Sequence, residues 1–341
     1  MRQHISTCQS ELLRTVYSNI DELQDIFNPI GGISSSINYS LFCLNRPFNV
    51  NYNSDIGQTA FAVGVMNNAN NLAANASGYK TTAYGMFSTA EGRETSAGYT
   101  AHSEGYKTLA SGEYSHSEGS NTTAEGKCSH TEGDGTTALG DYSHAEGGNT
   151  YATGDYSHAE GIYTTAEGDY SHAEGGNTIT YGENSHAEGS NTTTGGENSH
   201  TEGCLTTAIG DNSHAEGSWT TAKGEDSHAE GTYTRANGEG SHTEGHNTRT
   251  EGISSHAEGR NTVALGNGSH AEGAGTVANG SYSHAEGIST NDVDINNDDT
   301  VDTILQKWIN NKFSLAYGRG SHVEGLDNLA LGLNSHAEGY L

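Results

Sequence analysis

Ser157-His158-Ala159-Glu160-Gly161-Ile162-Tyr163-Thr164-Thr165-Ala166-Glu167-Gly168-Asp169-Tyr170 is two seven-residue halves, each reading small-x-small-x-Gly-x-x. Extended chain alternates with period two, so Ser157 and Ala159 point to one face while His158 and Glu160 point to the other. Thr164 and Ala166 stand in the same relation to Thr165 and Glu167. Gly161 and Gly168 then permit the left-handed or tight backbone of a turn. Each half is expected to be a four-residue strand and a three-residue turn. Fourteen residues make one coil with two short sides, lined inside by Ala, Ser and Thr. Such a coil cannot bury its inner face alone. Stacking puts backbone ladders and small side chains in register, at about 4.8 Å per coil.

The same unit extends in both directions. His recurs every 14 residues from His116 through His284, with His102 before it and His322 and His336 after it, and each is followed two residues later by Glu and then Gly. Gly57, Gly64, Gly78 and Gly92 carry the phase further back. In Thr59-Ala60-Phe61-Ala62-Val63-Gly64, Phe61 takes the His position and Val63 the Glu position. One residue is missing between Gly92 and Gly105. His284 and His322 are 38 residues apart, one coil plus an insertion of 24, placed at 291–314. The roll is therefore expected over 57–290 and 315–341.

Composition agrees with a thin core. Apolar residues make up 31% of the 341, and Gly occurs 47 times, too few large side chains for a globular interior of this length. Disorder is disfavoured by the strict period. A coiled coil needs apolar a and d positions and does not tolerate Gly every seventh residue. A calcium-binding β-roll needs nonapeptides rich in Gly and Asp, and these are missing. The net charge is −29, from 14 basic and 43 acidic residues. That field repels nucleic acid phosphates and anionic lipid heads, so no nucleic-acid partner is expected. No run of 18 apolar residues exists, so no membrane insertion is expected. Cys8, Cys43, Cys128 and Cys204 follow no disulfide or zinc spacing rule, and unpaired thiols fit assembly in a reducing cytosol. Met1 to Ile5 begin without an apolar core, so no secretory signal is expected.

These residues resemble the head repeats of trimeric autotransporter adhesins, the YadA-like left-handed parallel β-roll. Thr59 to Gly64 and Ser143 to Gly147 carry the match, and the repeat covers about four-fifths of the chain. The Ser-His-Ala-Glu-Gly form also resembles repeats in phage and viral fibre proteins. The resemblance implies an all-β left-handed parallel β-roll solenoid that forms a homotrimer, with one roll face around the three-fold axis. In that family, apolar residues such as those at Phe61 and Val63 face the axis. The sequence departs from secreted adhesins in lacking a signal peptide, a long coiled-coil stalk and a C-terminal anchor, which favours a virion or phage-tail surface. It stops within a repeat at Glu338-Gly339-Tyr340-Leu341, as a fragment or a cleavage product would.

The candidate site is the pair of outward positions on the first strand. They are nearly fixed as His and Glu: His144/Glu146, His158/Glu160, His172/Glu174, His186/Glu188 and His214/Glu216, with Phe61/Val63 earlier. The outward pair of the second strand varies: Tyr151/Thr153, Thr165/Glu167, Ile179/Tyr181, Arg249/Glu251, Val263/Leu265. A solvent face drifts and a face with a packing partner does not, so the His-Glu face is expected to meet the other protomers. The alternative is a solvated face frozen by recent duplication. Stacked Glu would repel, and His from a neighbouring protomer would offset this, with His pKa values raised above about 6.5 unless desolvation dominates. Three His and three Glu per layer would also suit a cation, but no cofactor is implied. Many equivalent copies do not make one asymmetric catalytic constellation, so no enzyme activity is expected.

Two segments stand outside the repeat. In 1–32, Leu13, Val16, Ile20, Leu23 and Phe27 follow 3-4-3-4 spacing, a short N-terminal helix that could zip a trimer or dock it to a larger particle. Residues 33–56 read as a linker. Within 291–314, Asp292, Asp294, Asn296 and Asp298 are a weak calcium candidate, lacking Gly at loop position six and an acidic residue at twelve. Val301, Ile304, Leu305, Trp308 and Ile309 have helical spacing. The reading is a trimeric structural and adhesive fibre that attaches a virion or phage tail to a host-surface receptor. A bacterial cell-surface adhesin head or a carbohydrate-binding fibre is the alternative.

Overall fold

The computed structural model describes residues 54–56, 60–289, 303, 306, 307 and 313–340. The expected N-terminal helix, the linker up to residue 53 and the calcium candidates Asp292, Asp294, Asn296 and Asp298 lie outside the described residues. The chain divides into two compact units, residues 1–107 and 108–341.

In the first unit, Phe61–Val65, Asn75–Tyr79, Thr89–Arg93 and His102–Tyr106 pair in parallel, with Gly64, Gly78, Gly92 and Gly105 in one row. Phe61 and Val63 share rows with His102 and Glu104, as the phase requires. The facing ladder contains Asn68–Ala69, Thr82–Ala83 and Ser96–Ala97. It starts earlier than expected. Ser54–Ile56 pairs with Asn68 and Ala69, so the last three residues assigned to the linker are already a strand. The missing residue is the outward position after Ala97. The amides of Tyr84 and Gly85 both donate to the Ala97 carbonyl, at 2.9 and 3.3 Å, the same forked pattern that Thr153 and Gly154 make with Ala166. The ladder thus absorbs the deletion because only an outward side chain is lost.

In the second unit, like residues lie over like. His144, Ala145, Glu146 and Gly147 pair with His158, Ala159, Glu160 and Gly161, and these with His172, Ala173, Glu174 and Gly175. The inner residues form the core: Ala159, Thr164 and Ala166 are fully buried and Ser157 is 1% exposed. The inner Ser has a second role besides being small. Ser157 Oγ donates to the Gly154 carbonyl at 2.6 Å, satisfying its own buried hydroxyl and tying strand to turn.

The two sides of a coil differ more than the two halves of the repeat do. The first strand has five residues, His158–Ile162, and the second has two, Thr165–Ala166, where four and four were expected. The glycine role differs as well. Gly161 has φ 116°, as expected of it, but Tyr163 (φ 57°) and Tyr170 (φ 57°), which are not glycines, are left-handed too. Their amides are held by the preceding coil, Tyr163 N to Gly148 O at 2.9 Å and Tyr170 N to Asp155 O at 2.8 Å. Those bonds offset the roughly 1–2 kcal/mol that a left-handed residue with a Cβ costs. Gly168 has no positive φ. It is needed because a Cβ there would overlap the carbonyl of Gly182 in the next coil. Close approach of backbones, not turn formation, selects it.

The insertion leaves the register intact. His284 pairs with His322, and Ser314–Ala316 pairs with Thr276–Ala278. Ser314 therefore belongs to the roll, and the upstream segment ends one residue earlier than the phase count suggested. Thr303, Gln306 and Lys307 are helical. Val263, Val277 and Leu315 occupy outward positions yet are at most 1% exposed, in one apolar cluster with Phe313. Among the described residues, no helix is long and apolar enough to cross a membrane.

Candidate functional site

Parallel pairing in register forces the first-strand side chains into columns. The imidazoles of His116 through His284 and on to His322 stack face to face; centroids are 4.8 Å apart for His144–His158 and 4.7 Å for His158–His172 and His172–His186. The planes of those three pairs agree within 3°. The glutamates form the adjacent column, with Glu146, Glu160, Glu174 and Glu188 as Cα partners. His200 and Glu202 pair in the same way with His214 and Glu216.

The columns touch. His144 Nε2 lies 3.6 Å from Glu146 Oε2 and His214 Nε2 lies 3.7 Å from Glu216 Oε2, just too far for a hydrogen bond. His284 Nε2 reaches Glu272 Oε1 of the preceding coil at 3.2 Å. The side chains are about one-third exposed, 34% for His144 and 39% for Glu146, yet the Nε2 atoms of His144, His158, His172, His186 and His214 are shielded from water and without a hydrogen-bond partner. Phe61, at the same position, is 38% exposed and Val63 is half-buried.

The electrostatics correct one expectation. Burial, helped by the neighbouring imidazoles of His130 and His158, lowers the pKa of His144 to about 4, against the upward pull of Glu132 and Glu160. His172, His186 and His214 are lowered too, in each case by burial first and stacked histidines second. An upward shift was expected from the carboxylates. Desolvation dominates: taking the rings out of water disfavours the charged form, and the neighbouring imidazoles of the stack add to it.

Other columns run along the turns. Tyr142, Tyr156 and Tyr170 stack at 4.8 and 5.0 Å and are about half exposed. Beside them, the Asp141 amide donates to Asp155 Oδ1 and the Asp155 amide to Asp169 Oδ1, each at 2.8 Å. Asn247 Nδ2 donates to Asn261 Oδ1 at 2.9 Å in the other turn. The sequence carries this signal as Asp-Tyr and Asn recurring at 14 residues, but only the left-handed turn shows why those types suit the positions.

A chain of 14-residue coils in register, with small residues inside and two parallel ladders, is a parallel β-solenoid. Two stretches, residues 145–171 and 257–283, match the YadA head domain repeat, and the parallel β-solenoid fits a YadA-like head repeat. No curated protein matches the chain.

Proposed function

We propose that the protein is a homotrimeric fibre for surface attachment, with the His-Glu face of each roll turned toward the other two protomers. One observation carries this reading. The first-strand columns are constant and seal their Nε2 atoms, whereas outward residues on the second strand change from Thr165 to Ile179 to Arg249. Buried polar columns of this kind serve register and oligomer choice better than they serve stability. In the first unit, Phe61 and Val63 place apolar side chains at the same two repeat positions. The exposed tyrosine column of Tyr142, Tyr156 and Tyr170 stays outside that interface and offers aromatic edges to a host-surface receptor. The fibre is structural and adhesive, not enzymatic, and belongs on the outside of a virion or phage tail. The match to a head repeat also supports the second reading, a cell-surface adhesin head.

Immunogold electron microscopy of the source material tests the location. Antibody to the full chain should decorate the exterior of intact particles or cells. Label that appears only after lysis would contradict an attachment role.

A further inference from the structure

The His-Glu columns form a repeated donor set. His144, Glu146 and His158 each offer a ligand atom, and the three atoms lie within 4.8 Å of one another. His158/Glu160/His172, His172/Glu174/His186, His214/Glu216/His228 and His228/Glu230/His242 repeat the group. Two further observations point to a ligand. The imidazole Nε2 atoms are shielded and lack a hydrogen-bond partner, which is costly for a buried polar atom. Alongside them, Glu146, Glu160, Glu174 and Glu188 are held in register in a chain of net charge −29, so the column repels itself. A cation held between the columns would satisfy both.

We propose that the first-strand ladder binds a row of divalent transition-metal ions of the zinc type. Each ion takes Nε2 from two successive histidines and a carboxylate oxygen from the glutamate between them. Imidazole with carboxylate suits zinc, copper or nickel better than magnesium or calcium. A tetrahedral ion with bonds of about 2.1 Å needs ligand atoms about 3.4 Å apart. The His144–Glu146 pair, at 3.6 Å, is nearly there, and the second histidine closes from within 4.8 Å by a side-chain rotation. The fourth position falls to Glu160 or water.

The geometry also dictates a stoichiometry. A neutral imidazole has one acceptor nitrogen free. His158 therefore serves either the group with His144 or the group with His172, not both. Neighbouring groups exclude one another, and the ladder saturates at one ion per two coils.

Equilibrium dialysis of the full chain against Zn2+, with metal counted by mass spectrometry, tests this. Several equivalents per chain, near one per two coils, are expected. Replacing His158, His172 and His186 together by Gln should remove about two of them, because two adjacent pairs are broken. That difference separates the ladder from Cys128 and Cys204, which are unchanged in the variant. Should the variant misfold, Glu146→Gln, Glu160→Gln and Glu174→Gln keep the imidazoles and remove the charge. They should weaken binding at those coils about tenfold or more. One equivalent or fewer on the parent chain, or unchanged binding in a folded variant, would overturn the proposal.

Discussion

Alanine at position 175 should destabilise the protein by about 3 kcal/mol or more, whereas alanine at 176 should stay within about 0.5 kcal/mol of the parent. The two glycines are adjacent in one strand, His172–Gly176. Gly175 has φ +109°, where a side chain is strained, and a Cβ there would overlap the Gly189 carbonyl. Gly176 has nothing within 4 Å of its would-be Cβ, and its row partners are Ile162 and Ser190, which carry side chains already. The overlap at 175 involves backbone on the next coil, so relief requires the coils to separate. Because each coil contacts only its neighbours, the damage should open the solenoid locally. Denaturant unfolding of the two single variants measures the difference. Equal effects would mean that coil-to-coil packing is not what selects the repeat glycine.

The second large effect is on acidification. His144 titrates near 4 in the folded protein, and His172, His186, His214, His228 and His256 are also lowered from 6.5. Between the folded and unfolded values, the unfolded chain binds more protons, so stability rises with pH. The contribution is fully present above about 6.5 and is lost as pH falls toward about 4. Thermal unfolding in chelator should show the melting temperature falling through that window. Net charge changes too as carboxylates protonate, so the informative quantity is the difference from the His158→Gln, His172→Gln, His186→Gln variant, whose pH dependence should be flatter. A parent protein that gains stability relative to the variant on acidification would mean that carboxylates, not burial, control the column.

Much of this architecture is visible in the residues themselves. The alternation of Ser157, Ala159, Thr164 and Ala166 with larger neighbours gives inside and outside, and the 14-residue period gives register. The same count places the missing residue between Gly92 and Gly105 and the long insertion to within one residue of Ser314, while the position after Ala97 comes from the hydrogen bonds. The unequal strands were not legible, because Tyr163 and Tyr170 look like ordinary loop residues. Their left-handed backbone follows from cross-coil hydrogen bonds that no local preference announces. The role of Gly168 was misread for the same reason, since its constraint comes from Gly182, 14 residues away. For the candidate site, the sequence shows His172 beside Glu174 and suggests a raised pKa. It does not show that burial of the ring, with the stacked imidazoles behind it, would outweigh the carboxylates. The buried outward cluster of Val263, Val277, Leu315 and Phe313 is hidden in the sequence because its members are separated by coils and by the insertion.

The central claim is that the His-Glu strand is the face where copies of the chain meet. Sedimentation equilibrium at micromolar concentration tests it directly, using the full chain and two variants. The parent should sediment at three times 35.7 kDa. Glu160→Trp with Glu174→Trp overpacks the first-strand face, so this variant should shift to the monomer mass. Thr165→Trp with Ile179→Trp places the same bulk on the second strand and should leave the trimer intact. A parent chain at 35.7 kDa, or a trimer lost only in the second-strand variant, would contradict the assignment of that face.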